Sequence, residues 1–166
     1  MLFRIATTQD LDRIMQIIRQ AQARMKANGQ AQWQNGYPAT ADIERDIERG
    51  YGYLLTENAL AIAYGAIVFD GEPAYDAIDG AWFADCPYVA LHRLAVADEA
   101  LHRGVATQFM RNTETLARER GIRSFRVDTN FDNRYMLALV KGLGFVFCGE
   151  IDYCNGHRLA FEKLLD

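Results

Sequence analysis

Cysteine is scarce in this chain, with three in 166 residues. Cys86, Cys148 and Cys154 are scattered, so they set up neither a disulfide framework nor the spacing of a zinc site, and no metal is expected. Such usage fits a reducing compartment, and the expected location is cytoplasmic. Positive charge is also short: 18 Lys and Arg stand against 22 Asp and Glu, a net charge of −4. A nucleic-acid binder needs a basic face, so that class is set aside. The apolar runs fall far below the roughly 20 residues of a membrane span, and the N-terminus Met1-Leu2-Phe3-Arg4-Ile5 has no signal-peptide core. Internal repeats and low-complexity tracts are missing too. What is there is an ordinary globular composition, 50% hydrophobic and 24% charged, at a length that favours one domain over residues 1–166.

Residues 2–6 alternate and read as a strand. Leu11, Ile14, Ile17, Ile18, Ala21 and Met25 recur at helical spacing and predict a helix over 9–26, with Thr7 or Thr8 as cap and Asn28-Gly29 as stop. Residues 40–49 predict a second helix with Thr40 as its cap. Residues 51–56 and 59–69 read as a hairpin joined by Glu57-Asn58. Residues 70–87 look irregular, and long connections of that kind are often functional. Strands are expected over 88–96 and 123–129, and helices over 104–120 and 133–142. Strands over 145–153 and 157–164 flank Asn155-Gly156, a strong signal for a tight turn. The order β-α-α-β-β-β-α-β-α-β-β contains one strand–helix–strand piece that demands a parallel crossover, expected to be right-handed. The fold class is α/β: a three-layer α/β/α single domain with a mixed, mostly antiparallel twisted sheet.

The stretch LAVADEALHRGVATQFM, residues 94–110, runs from strand through an acidic loop into a helix. Gly104 at that handover lets the backbone approach a ligand closely. The first turn of the helix offers backbone N–H groups without internal partners, a setting for an anion such as phosphate. An ordinary tight helix start uses the same residues.

Three spans resemble the GNAT superfamily of acyl-CoA N-acyltransferases, specifically a bacterial subgroup of unsettled substrate. HRLAVADEALHRGVA (92–106) is similar to its pyrophosphate loop, RVDTNFDNRYM (126–136) to its second strand-to-helix segment, and KGLGFVFCG (141–149) to its Lys-x-x-Gly-Phe close. The resemblance implies the GNAT fold and acetyl-CoA as cosubstrate, with the backbone of Arg103, Gly104, Val105 and Ala106, and Thr107 beside them, holding the pyrophosphate. It implies that main-chain groups around Leu94, Ala95 and Val96 face the thioester, and that Asn133 holds the pantetheine arm; a helix N-cap is the other reading of Asn133. There are two departures. Leu101 stands where the family has Gln or Arg, and Val140 stands where many members carry the Tyr that protonates the departing thiolate.

An amine acceptor of reference pKa about 8 to 10.4 must lose a proton before it attacks. His92, two residues before Leu94, is the candidate base, and a buried structural His is the alternative. Asp128 is its rival, otherwise a partner of Arg93 or Arg126; Tyr135 is a candidate proton donor, otherwise a packing residue. Trp33, Tyr37, Tyr75 and Trp82 come from irregular segments and either wall an acceptor pocket or pin loops. The expected activity is direct transfer of acetyl from acetyl-CoA to a primary amine on a small molecule or peptide, in a ternary complex. A non-catalytic acyl-CoA sensor or partner module is the alternative from another class, and a phosphate binder unrelated to CoA is a third. The resemblance leaves a homodimer open.

Overall fold

Ile14, Ile17, Ile18 and Ala21, spaced as a helix requires, form the buried stripe of α1 (Leu11–Ala27). A 3-10 turn, Thr8–Asp10, leads into it. The computed structural model describes residues 1–154 and 156–166, so the expected Asn155-Gly156 turn lies partly outside the described residues. Among them are α2 (Thr40–Glu48), α3 (Val105–Glu119) and α4 (Arg134–Gly142), and strands β1 (Leu2–Ile5), β2 (Gly52–Glu57), β3 (Leu60–Val68), β4 (Asp79–Gly80), β5 (Tyr88–Val96), β6 (Ser124–Thr129), β7 (Val146–Tyr153) and β8 (Gly156–Leu164). No helix among the described residues is long and apolar enough to cross a membrane.

Contacts divide the chain into two units, Met1–Ile67 with Arg93–Asn112, and Val68–His92 with Thr113–Asp166. In the first, β1 pairs antiparallel with β2, and β2 with β3. Phe3 stacks on Tyr53 and meets the edge of Phe109, both with centroids 5.3 Å apart. The hairpin turn falls on Asn58-Ala59 and not on Glu57-Asn58; both turn residues take positive φ (50° and 65°), which matches the right-handed twist of the flanking strands. The cap of α2 is likewise one residue earlier than expected. Ala39 takes the extended cap position, and its N–H is bound by Asp42 Oδ2 at 2.8 Å, so the carboxylate of the first turn does the work assigned to Thr40.

In the second unit, β5 pairs with β6 in parallel, Tyr88 opposite Ser124 and Ala90 opposite Arg126. Antiparallel pairings then run β6–β8, β8–β7 and β7–β4. Phe125 and Phe145 pack edge to face at 5.0 Å. Asn133 caps α4, its side-chain oxygen accepting the Met136 N–H at 3.1 Å. Residues 70–87 are not structureless: they hold a 3-10 turn, Pro73–Ala77, and the short strand β4. With β5–β6 parallel and the other pairs described here antiparallel, the chain has the expected mixed, mostly antiparallel α/β architecture.

Candidate active site

The second unit gathers five side chains from four places in the sequence. Asp128, near the end of β6, has one-tenth of its side chain exposed. Its Oδ2 accepts the Tyr75 hydroxyl at 2.7 Å and the Tyr153 hydroxyl at 3.1 Å. The same oxygen lies 3.9 Å from His92 Nδ1, beyond hydrogen-bond reach. On the other side of the ring, Glu72 Oε2 lies 3.5 Å from Nε2. The His92 ring therefore has a carboxylate on each side. Burial, then the charge of Asp128, pushes the Tyr75 hydroxyl well above its usual range. Burial and then Asp128 raise Tyr153 in the same way. Both hydroxyls stay protonated and donate.

Residues 70–87 deliver Glu72 and Tyr75, and several bonds fix that segment. Glu72 caps the 3-10 turn through its side chain, which accepts the Ala74 N–H at 3.2 Å, and its own N–H donates to the Tyr88 hydroxyl at 2.7 Å. Trp82 Nε1 donates to the Tyr75 carbonyl at 2.9 Å. Arg126 lies over the rings of Trp82 and Tyr88, 4.5 and 4.1 Å from their centroids, and donates to the Ala84 carbonyl and to Glu162. Glu162 is 1% exposed; it also accepts the Phe83 N–H and the Ser124 hydroxyl, both at 2.5 Å. Finally, Gly80 faces Gly149 across β4 and β7 so closely that a Cβ on Gly149 would stand 2.3 Å from the Asp79 carbonyl oxygen.

In the first unit, Arg93 takes φ +56° inside β5. A non-glycine residue there costs of order 1–3 kcal/mol and needs support. Asp46 supplies it: Arg93 Nε and Nη2 donate to its two oxygens at 2.7 and 2.6 Å. Arg93 Nη1 donates to the Tyr37 hydroxyl at 2.8 Å, and the Tyr64 hydroxyl donates to Asp46 at 2.6 Å. Burial opposes the guanidinium charge most strongly of any single cause, but Asp46 and Tyr37 together outweigh it and raise Arg93 above its ordinary value. The left-handed residue breaks the strict alternation of β5 at this point.

The loop before α3 has Gly104 at φ +72°, and a Cβ there would meet nothing within 4 Å. The first bond into the helix runs from Gln108 N–H to the Gly104 carbonyl at 2.9 Å, so Val105, Ala106 and Thr107 carry the leading N–H groups of that turn. An open glycine beside a helix start fits a diphosphate held by main chain. The Arg103 side chain is engaged elsewhere, Nη2 meeting both Glu57 oxygens at 2.8 Å.

The structure thus brings His92, Asp128 and Tyr75 together and adds Glu72 and Tyr153, which the sequence reading missed. Glu72 had a signal, a carboxylate directly before Pro73 at a turn start; Tyr153 had none. Asp128 pairs with neither arginine proposed for it, because Arg93 goes to Asp46 and Arg126 to Glu162. Tyr135 is 68% exposed in the first turn of α4 and joins no cluster, and Val140 is fully buried. Tyr37, Tyr75 and Trp82 each hold a segment in place by a hydrogen bond; Tyr75 is fully buried and backs the site without lining it. Trp33, half-buried, takes φ +63° in its loop. Ala95 is buried, Leu94 and Val96 are half-buried, and the Val96 carbonyl accepts from Arg24 at 2.8 Å.

No curated protein matches the chain. Among solved structures, a GNAT-family acetyltransferase from Streptococcus agalactiae 2603 is similar at 33% identity and TM-score 0.90, over 99% of this chain and 95% of that one. A GNAT-family acetyltransferase from Listeria monocytogenes 4b F2365 shares the fold at 22% identity and TM-score 0.78, over 99% and 94% of the two chains. The ribosomal-protein-alanine N-acetyltransferase from Brucella melitensis does so at 19% and TM-score 0.70, over 99% and 100%. The family model described as acetyltransferase (GNAT) family matches residues 14–145. With most of its length matched by that model, the chain belongs to the GNAT family of acetyltransferases.

Proposed function

We propose that this protein transfers an acetyl group from acetyl-CoA directly to a primary amine on a small molecule or peptide. The observation that carries this reading is His92 lying between the carboxylates of Glu72 and Asp128. Acetyl-CoA, when bound, supplies an acyl thioester open to attack by a neutral amine. The main-chain N–H groups of Gly104, Val105, Ala106 and Thr107 hold its diphosphate. Leu94, Ala95 and Val96, two to four residues after His92 in the chain, offer main-chain groups to the acyl carbonyl. Asn133 orders the start of α4 through its cap and would hold the pantetheine arm. His92 accepts the proton that the ammonium acceptor must lose, and the two flanking carboxylates stabilise the imidazolium that results. Their negative charge also favours a cationic acceptor over a neutral one. The cytoplasm is the place we expect for this reaction.

One observation favours a second reading, an acyl-CoA sensor without turnover: the position of the family's acid is the buried Val140, and Tyr135 points to solvent. Thioester consumption over a panel of amines separates the two. Turnover with at least one cationic amine supports the enzyme, whereas acetyl-CoA stabilising the fold while every amine fails supports the sensor. Gly104→Ala is the accompanying cradle test. It places a methyl in the loop mouth at a backbone cost of about 1 kcal/mol, and is expected to weaken acetyl-CoA binding at least tenfold with a small change in melting temperature. Unchanged affinity in the folded variant refutes the cradle.

A further inference from the structure

The loop that leads into the α3 amides is held from α1. Gln20 and Arg24 follow Arg13 by seven and eleven residues, close to two and three whole turns, so the three side chains share one stripe of the helix. Each reaches the stretch of residues 96–99. Arg24 pairs with Asp98 through Nη1, and its Nη2 donates to the Val96 carbonyl at 2.8 Å. Gln20 Oε1 accepts the Asp98 N–H at 3.0 Å. Arg13 pairs with Glu99 through Nη2, while its Nε donates to the Ala61 carbonyl on β3 at 2.9 Å. The Ala97 N–H donates to the Ile62 carbonyl, also at 2.9 Å. Asp98 and Glu99 are about half exposed, and ion pairs of that kind are weak alone. Here the same guanidinium forks also grip main chain, and the uncharged Gln20 does so without an ion pair.

The chain that follows needs such support. His102 takes φ +60° and Gly104 +72°. A non-glycine residue in the left-handed region persists only where its surroundings hold it. The bonds from α1 fix the chain before His102, and the pair of Arg103 with Glu57 fixes it after.

We propose that Arg13, Gln20 and Arg24 are positioning residues for acetyl-CoA: they fix the main chain between the end of β5, assigned to the thioester, and the amides at the start of α3, assigned to the diphosphate. This rests on the reading of residues 104–107 as the diphosphate cradle. Thioester and diphosphate are joined by one covalent tail, so the two protein segments must keep one separation to engage both. A loop already set at that separation loses little freedom when the ligand arrives. A loop released from α1 populates the competent arrangement less often, and affinity falls in proportion.

Calorimetric titration with acetyl-CoA reads this without an acceptor amine. Arg24→Gln and Arg13→Gln are each expected to raise Kd about three- to tenfold. Gln20→Ala, which changes no charge, is expected to raise it about two- to fivefold. Arg19→Gln, at an exposed arginine of α1 off that stripe, is the charge-matched control and is expected to stay within about 1.5-fold. Hydrogen exchange gives the second readout. The amides of Ala97, Asp98 and Ala100 are expected to exchange faster in Gln20→Ala and Arg24→Gln, and to slow again when acetyl-CoA is added. Unchanged Kd in folded Arg24→Gln and Gln20→Ala overturns the proposal. So does an equal loss in Arg19→Gln, or a loss of affinity with no change in exchange at these amides. Wild-type protein that binds no acetyl-CoA sinks the cradle reading itself, whereas a cradle supported by Gly104→Ala, with unchanged Kd in the α1 variants, sinks the brace alone.

Discussion

Gly149→Ala gives the sharpest test of how the site is held. Gly149 takes φ +151° and its neighbour Gly80 +141°, in a β4–β7 crossing where the main chains nearly touch. A Cβ on Gly149 would sit 2.3 Å from the Asp79 carbonyl oxygen and 2.9 Å from Gly80 Cα, and neither atom is the end of a flexible side chain. The backbone conformation alone costs about 1–3 kcal/mol for alanine. Separating the strands also puts at risk the Ala81 N–H bond to the Cys148 carbonyl, worth about 1 kcal/mol. Together these predict a destabilisation of about 2–4 kcal/mol, or roughly 5–15 °C in melting temperature for a chain of this size. Gly142→Ala is the control. Gly142 lies in α4 with nothing near its would-be Cβ, so alanine there stabilises by about 0.5–1 kcal/mol. Calorimetry on both variants reads the difference. A Gly149→Ala protein melting within about 2 °C of wild type, or the two variants shifting in the same direction, refutes the reasoning.

Two other outcomes follow from buried or tightly bonded charge. Asp46→Asn leaves the buried Arg93 guanidinium without its bidentate partner, so a loss of about 3–5 kcal/mol is expected in urea unfolding, with Arg93→Lys also destabilising because a point charge cannot fill the fork. Asp10, bonded by Arg4 through both oxygens, has its carboxyl lowered to about 2. Its folded value is below its unfolded one, so its contribution is present above about pH 4 and is lost as pH falls towards 2. Solvent screening reduces that contribution to about 1 kcal/mol, and Asp10→Asn is expected to remove this part of the acid dependence in a melting series.

Periodicity made the elements legible, because burying a stripe or a face is a local constraint: the spacing of Ile14, Ile17, Ile18 and Ala21 admits one answer. The Asn133 cap and the glycine before α3 were readable for the same reason. The site was legible only in part. His92, Asp128 and Tyr75 carried chemistry on their face, but their grouping depends on which strands pair, and β6 next to β5 and β8 is a matter of long-range packing. Tyr153 looks like any strand aromatic until β7 is laid beside β8. The arginine pairing weighed as the alternative for Asp128 does not form, because proximity in sequence, Arg126 to Asp128, places side chains on one face of a strand without saying that Glu162, across the β6–β8 register, offers a better-buried carboxylate. Nothing in the letters around Arg93 announces a left-handed residue within a strand; its support comes from Asp46, 47 positions earlier.

Phe83 holds on by its amide and not by its ring. Its N–H reaches Glu162 while its side chain is 56% exposed, and Ala84 is likewise gripped at its carbonyl by Arg126. Attachment and identity are thus uncoupled at this stretch: another residue at 83 changes the surface offered to solvent without loosening the seat of Glu72 and Tyr75. A family member built this way can diversify what that outer surface meets while the proton-handling groups beneath stay where they are.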